Sequence, residues 1–187
     1  MHTLKYKYRL YPTKEQLIKL AQITGSVRYI WNYFLDREIK EYAANKKFIF
    51  FNQNSQDLTA LKQTTRWLND IPSTSLQQTL RYLNTTLKQS FSSKANKKGF
   101  PKFKSKKNFS ASFTLAMVNS KRNLKGNAFY IPKIGDVKCV YHRDQPSDFK
   151  TCQIKCDGDR WFVVLTCNKE TTHLPKTNKT TGIDLNS

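Results

Sequence analysis

The chain has 187 residues, with 33 Lys and Arg against 13 Asp and Glu and a net charge of +20. That length suits one large domain or two small ones, and that charge points to a polyanionic partner rather than to a fold. No apolar run approaches the ~20 residues of a membrane span, and the opening MHTLKYKYRLYP lacks a signal-peptide apolar region, so a cytosolic protein without a membrane partner is expected.

Thr3 to Leu10 alternates strictly, with Leu4, Tyr6, Tyr8 and Leu10 on one face and Lys5, Lys7 and Arg9 on the other. This pattern predicts a half-buried strand with a basic outer face. Pro12 stops it, and Thr13 with Gln16 three residues on forms a capping-box pattern for a helix carrying Leu17, Leu20 and Ala21. Gly25 is expected to end that helix and Ser26 to cap the next, where Val27, Ile30, Trp31, Phe34, Leu35, Glu38, Ile39 and Tyr42 recur near helical spacing. Two helices joined through Gly25 look like a helix-turn-helix. The start of the second offers only Ser26, Arg28 and Asn32 as readers of bases, so an ordinary antiparallel helix pair is expected instead.

Phe48 to Phe51 reads as a short apolar or strand-like segment, and a helix with Leu58 and Leu61 is expected from Ser55. Trp67 to Pro72 breaks the pattern and Ser73 restarts it. Leu76, Leu80, Leu83, Leu87 and Phe91 then line one side of a long helix. Gln77 and Gln78, in its first turns, are either solvated or able to meet an adenine edge.

Between Lys94 and Lys107 there are seven lysines and no acid, with Phe100 and Phe103 set among them. From Ile71 to Gly135 the chain holds thirteen Lys or Arg and no Asp or Glu. Such a block repels itself until a polyanion supplies counter-charge, and nucleic acid fits best. Lys97, Lys98, Lys102, Lys104, Lys106 and Lys107 would meet phosphates, while the two rings stack on bases or anchor the loop to a core. The bland alternative is a solvated basic linker.

After Phe109 the period changes to two, giving candidate strands at Ser112–Val118, Ala128–Ile131, Val137–Tyr141, Thr151–Cys156 and Arg160–Asn168. Asp157-Gly158 joins the last two as a hairpin. Cys139, Cys152, Cys156 and Cys167 all fall in these segments without metal-ligand spacing, which favours buried free thiols over zinc. Strand, then helices, then strands predicts an α+β fold in which an antiparallel barrel takes a helical insertion after its first strand. A polar linker from Thr171 to Thr181 leads to Gly182-Ile183-Asp184-Leu185, an apolar strand start with one embedded carboxylate.

The order of motifs resembles the transposon-encoded TnpB (OrfB) family across about Leu4 to Leu185. The motifs are Tyr8-Arg9-Leu10-Tyr11-Pro12-Thr13 with Gln16, Val27-Arg28-Tyr29-Ile30-Trp31-Asn32-Tyr33-Phe34, and Leu76-Gln77-Gln78 followed by Phe91. Gly99-Phe100-Pro101-Lys102-Phe103-Lys104, Ile131-Pro132-Lys133-Ile134-Gly135 and Gly182-Ile183-Asp184-Leu185 complete the series.

The resemblance implies an RNA-guided DNA endonuclease related to type V CRISPR effectors, with a guide RNA and double-stranded target DNA as partners. It implies a wedge β-barrel over residues 1–12 and 110–170, a helical recognition lobe over 13–93 and a basic linker over 94–109. Residues 171–187 would be a linker and the first strand of an RNase H-like (RuvC-like) nuclease domain. Phe51, Ser55, Ser73, Thr74 and Gln77 match positions expected to touch the motif flanking the target, although the family can carry a Lys and an aromatic where Ser73 and Thr74 stand. Asp184 matches the first of three carboxylates that hold catalytic Mg2+ in the full-length family. The other two carboxylates and the zinc-ribbon cysteines are expected further on, so these 187 residues alone are expected to bind nucleic acid without cutting it. The competing reading is a non-catalytic helix-turn-helix DNA-binding protein or regulator.

Overall fold

The computed structural model describes residues 2–49, 51–91, 99–107 and 110–169. The alternating N-terminal segment forms strand β1, His2–Tyr11, with Tyr8 and Leu10 in the core and Lys5 and Lys7 exposed. The capping box forms in both directions. Thr13 Oγ1 accepts from the Gln16 N–H (3.3 Å), and Gln16 Oε1 accepts from the Thr13 N–H (3.0 Å).

Helix α1 then runs unbroken from Lys14 to Asn45, so the expected stop at Gly25 and the second helix capped by Ser26 do not occur. Ile23, Thr24, Ser26 and Val27 are all buried on either side of the glycine. The Ser26 hydroxyl donates back to the Gln22 carbonyl (2.6 Å) instead of capping a new helix. Packing on both flanks outweighs the ~1 kcal/mol that a glycine costs a helix interior.

Of the expected strand-like segment Phe48 to Phe51, Phe48 and Ile49 lie outside any strand, Phe50 lies outside the described residues, and Phe51 already opens a helix. Glu38, fully buried on α1, accepts from the Ile49 N–H (2.9 Å) and from Asn54 Nδ2 (2.7 Å), and so fastens the connection to the helix that follows. That helix, α2, spans Phe51–Thr64 and starts one turn before the expected Ser55. A short 3-10 turn over Arg66–Asp70 leads to helix α3, Ser73–Ser90. Leu76, Leu80, Leu83 and Leu87 face the core as expected. Phe91 does not continue the stripe. It sits just past the helix end, 53% exposed, with its ring against Phe48 (4.8 Å) and Phe100 (6.3 Å).

The remaining elements are β2 (Ser112–Ala116), a one-turn helix α4 (Ser120–Asn123), β3 (Leu124–Lys125), β4 (Ala128–Ile131), β5 (Gly135–Val140), β6 (Thr151–Asp157) and β7 (Arg160–Lys169). Only α4 and β3 have no counterpart in the sequence pattern. They are set by Asn119, whose side chain accepts from the Arg122 N–H (2.9 Å), and by Asn123, whose amide donates to the Tyr130 carbonyl (2.9 Å). The β6–β7 hairpin forms at Asp157-Gly158, with Gly158 supplying the positive φ (63°) that a tight turn requires.

All strand pairs are antiparallel, in the order β2-β6-β7-β1-β5-β4-β3. The sheet curls into a half-barrel of an α+β fold, and among the described residues no ladder joins β2 to β3 to close it. The first strand lies in the middle of the sheet, between β7 and β5, so the helices α1 to α3 leave from the centre and return to the edge strand β2. Cys139, Cys152 and Cys167 are buried in the inner face as free thiols. Burial pushes the Cys139 thiol up to about 11 and raises the other two. The segment expected to open an RNase H-like domain lies outside the described residues.

Candidate nucleic-acid interface

Helix α2 and helix α3 meet through Leu58 and Leu76, both buried, and leave a groove of about 300 Å³ above that contact. Helical periodicity decides what lines it. On α2, Ser55, Thr59, Lys62 and Gln63 recur at offsets of four, seven and eight, which places them on one face. On α3, Ser73 and Gln77 are one turn apart and share the exposed face, while Leu76 turns inward. Asn69, from the 3-10 turn, completes the rim.

Three of the sequence candidates, Ser55, Ser73 and Gln77, are therefore brought together. Phe51 and Thr74 do not line the groove. Phe51 is half-buried at the start of α2 beneath the Arg81 guanidinium (4.4 Å to the ring centre), and Thr74 is half-buried in the first turn of α3. Lys62 was missed by the sequence reading. It donates across the groove to Ser73 Oγ (3.1 Å), and its carbonyl accepts from Asn69 Nδ2 (3.3 Å). The signal that could have found it is the polar i, i+4, i+7, i+8 series on α2.

Gln78 faces elsewhere. It lines a second cleft of about 340 Å³ between α1, α3 and the β2–β6 edge, together with Trp31, Tyr82, Lys104, Thr114 and Gln153. The Tyr82 hydroxyl donates to Thr114 Oγ1 (3.3 Å) across this cleft.

The basic stretch is not a free linker where it is described. Trp31 Nε1 donates to the Lys102 carbonyl (3.0 Å), Asn32 Nδ2 donates to the Lys104 carbonyl (3.0 Å), and the Lys104 N–H donates to Asn32 Oδ1 (2.8 Å). Pro101 is buried, whereas Lys102, Lys106 and Lys107 are exposed. The Lys104 ammonium lies over the Trp31 ring (3.7 Å), and desolvation lowers its pKa to about 8. Phe100 leans edge-on against Phe91, which favours the anchoring role over the stacking one, while Phe103 stays 55% exposed. Lys97, Lys98 and Asp184 lie outside the described residues.

On the outer face of β1 the three basic candidates differ. Lys5 is exposed. Lys7 pairs with Asp157 (3.1 Å) and covers the Phe162 ring (4.0 Å), and this lysine together with Lys155 holds the Asp157 carboxyl below the usual range. Arg9 stacks its guanidinium on Tyr11 (4.7 Å), leaving its buried Nε without a hydrogen-bond partner. Part of the positive face is thus already neutralised or packed away, while Lys102, Lys106 and Lys107 stay exposed.

A family model described as a helix-turn-helix domain, of the OrfB group, matches residues 1–47, which here are β1 and the unbroken α1 with its cap. Over 185 residues the chain is 29% identical to a Streptomyces pristinaespiralis protein named as a candidate RNA-guided DNA endonuclease, covering 96% of this chain and 45% of that relative. Over 167 residues it is 25% identical to Escherichia coli (strain K12) InsQ, also named as a candidate RNA-guided DNA endonuclease, covering 88% of this chain and 40% of that relative. The chain spans less than half the length of these curated relatives. No helix among the described residues is long and apolar enough to cross a membrane. The matched N-terminal model and the two relatives agree with the motif order read along the sequence: the chain is similar to proteins of the OrfB (TnpB) family.

Proposed function

We propose that this chain is the nucleic-acid-binding part of an RNA-guided DNA endonuclease. In this reading a guide RNA pairs with one target strand, the α2–α3 groove reads a short duplex motif beside the target, and the docked basic segment holds phosphates. The observation that carries it is the convergence of Ser55, Ser73 and Gln77 on one groove. Two polar helix faces with an apolar floor suit base edges better than a small metabolite, and a glutamine amide can donate and accept together at adenine N6 and N7. The names of the two relatives support RNA and DNA as partners.

Strand cleavage, with Mg2+ at Asp184, is the reaction proposed for a full-length family member. Among the described residues no group of three or more His, Cys, Asp or Glu side chains could hold a metal ion, so no step is assigned to them.

The test is a salt titration of nucleic-acid binding by the purified chain, with a parallel analysis of copurifying RNA. Changing Lys102, Lys106 and Lys107 to Gln is expected to lower the slope of log K against log salt by roughly two to three units, at ~0.7–0.9 per contact. An unchanged slope would make the segment a scaffold only. Tight binding without RNA to one extended duplex sequence, longer than the short motif the groove can span, would favour the regulator instead.

A further inference from the structure

The lysine that bridges the groove has a role of its own. Lys62 stands in the last turn of α2, and Asn69 fixes that turn by donating to the Lys62 carbonyl (3.3 Å). Its ammonium crosses to α3 and donates to Ser73 Oγ (3.1 Å). An exposed lysine ordinarily carries large rotamer freedom, and a tether at its tip removes much of it before any ligand arrives. Among the described residues no carboxylate lines the groove to neutralise that charge.

We propose that Lys62 is a specificity-determining residue of the groove, donating to a base edge that bears acceptors, guanine O6/N7 or thymine O4, with Ser73 as its positioning partner. This rests on the reading of the groove as a duplex-motif reader. The chemistry favours those bases. An ammonium has three donors and no acceptor, and one donor is committed to Ser73. The remaining donors match guanine or thymine and oppose the exocyclic amines of adenine and cytosine. Leu58 and Leu76 give the groove an apolar floor that accommodates a thymine methyl. Gln77, one turn beyond Ser73, offers a donor–acceptor pair and covers a neighbouring base. The groove is thus donor-rich at its Lys62–Ser73 end and mixed at its Gln77 end.

The experiment is selection of a randomised duplex pool by the 187-residue chain, with sequencing of the bound fraction, for the parent, Lys62→Ala, Lys62→Gln and Ser73→Ala. Equal urea midpoints establish that the variants fold. The parent is expected to enrich a motif with guanine or thymine at one position. Lys62→Ala should flatten that position by roughly 5- to 150-fold in preference while leaving the Gln77-dependent position intact. Lys62→Gln should turn the same position toward adenine, and Ser73→Ala should blur it. An unchanged motif in Lys62→Ala overturns the assignment. So does a uniform loss of affinity for every sequence with a salt slope smaller by ~0.9, which would make Lys62 a phosphate contact. If the parent itself enriches no motif, the reading of the groove fails and takes this inference with it.

Discussion

Replacing Asn32 by Ala tests whether the basic segment is held in place or merely lies nearby. The Asn32 amide makes two bonds to one residue, donating to the Lys104 carbonyl at 3.0 Å and accepting from the Lys104 N–H at 2.8 Å. Both are part-buried, and both freed groups can return to water once the segment lifts. The net value of ~0.5–1.5 kcal/mol per bond therefore applies, rather than the larger penalty for stranded groups, and the latch is worth ~1–3 kcal/mol. The loss should appear as local opening. Hydrogen exchange at the Lys104 amide is expected to accelerate by roughly 5- to 150-fold, with α3 and the sheet keeping their protection. Asn32→Asp keeps the acceptor but loses the donor, and should fall between parent and Ala. Unchanged Lys104 exchange in Asn32→Ala would refute the latch. Acceleration spread evenly over the molecule would show instead that Asn32 supports the whole fold.

Three other outcomes follow from the same geometry. Gly25→Ala is expected to raise stability by ~0.5–1 kcal/mol in urea unfolding, because the helix is unbroken there and an added Cβ meets nothing within 4 Å; a loss would show a hidden contact or a bend at this site. Glu38→Ala strands the part-buried Ile49 N–H and the buried Asn54 amide and should cost ~2–5 kcal/mol, with Glu38→Gln costing less; a thermal midpoint unchanged in the Ala variant would contradict this network. Lys104 is lowered from 10.5 to about 8, so between those values the folded chain binds fewer protons than the unfolded chain and stability rises with pH. Relative to Lys104→Met, the parent should therefore gain stability from pH 8 toward pH 10.5, and a parallel pair of urea curves across that window would rule out the desolvated amine.

Much of the fold was legible because local chemistry and tertiary packing agree. The strand of Tyr8 and Leu10, the Thr13–Gln16 cap, the leucine stripe of α3 and the Asp157-Gly158 hairpin all carry their cause within a few residues of themselves. Gly25 was misread because its local stop signal is overridden by burial of Thr24 and Ser26, which no window around the glycine reveals. The site divides in the same way. That Ser73 and Gln77 share a face follows from a spacing of four, but that Ser55 and Lys62 come from another helix to meet them depends on how α2 folds back. The latch of Trp31 and Asn32 onto Lys102 and Lys104 joins residues 71 and 72 positions apart through backbone groups, which have no sequence signature.

The unbroken helix α1 gives the molecule a fixed angular phase. Its 32 residues make a rod of about 48 Å, attached to β5 where Gln16 donates to the Asp136 carbonyl, to the basic segment at Trp31 and Asn32, and to the start of α2 at Glu38. Each residue turns such a rod by ~100°, so one residue inserted after Gly25 would swing Trp31, Asn32 and Glu38 together off their partners while Gln16 stayed on its own. Seven inserted residues would bring the angle back to within ~20° but push the far attachments ~10 Å along the axis. Length in the rod is therefore tied to its partners: any change there must be matched by a compensating change in the sheet or in the basic segment.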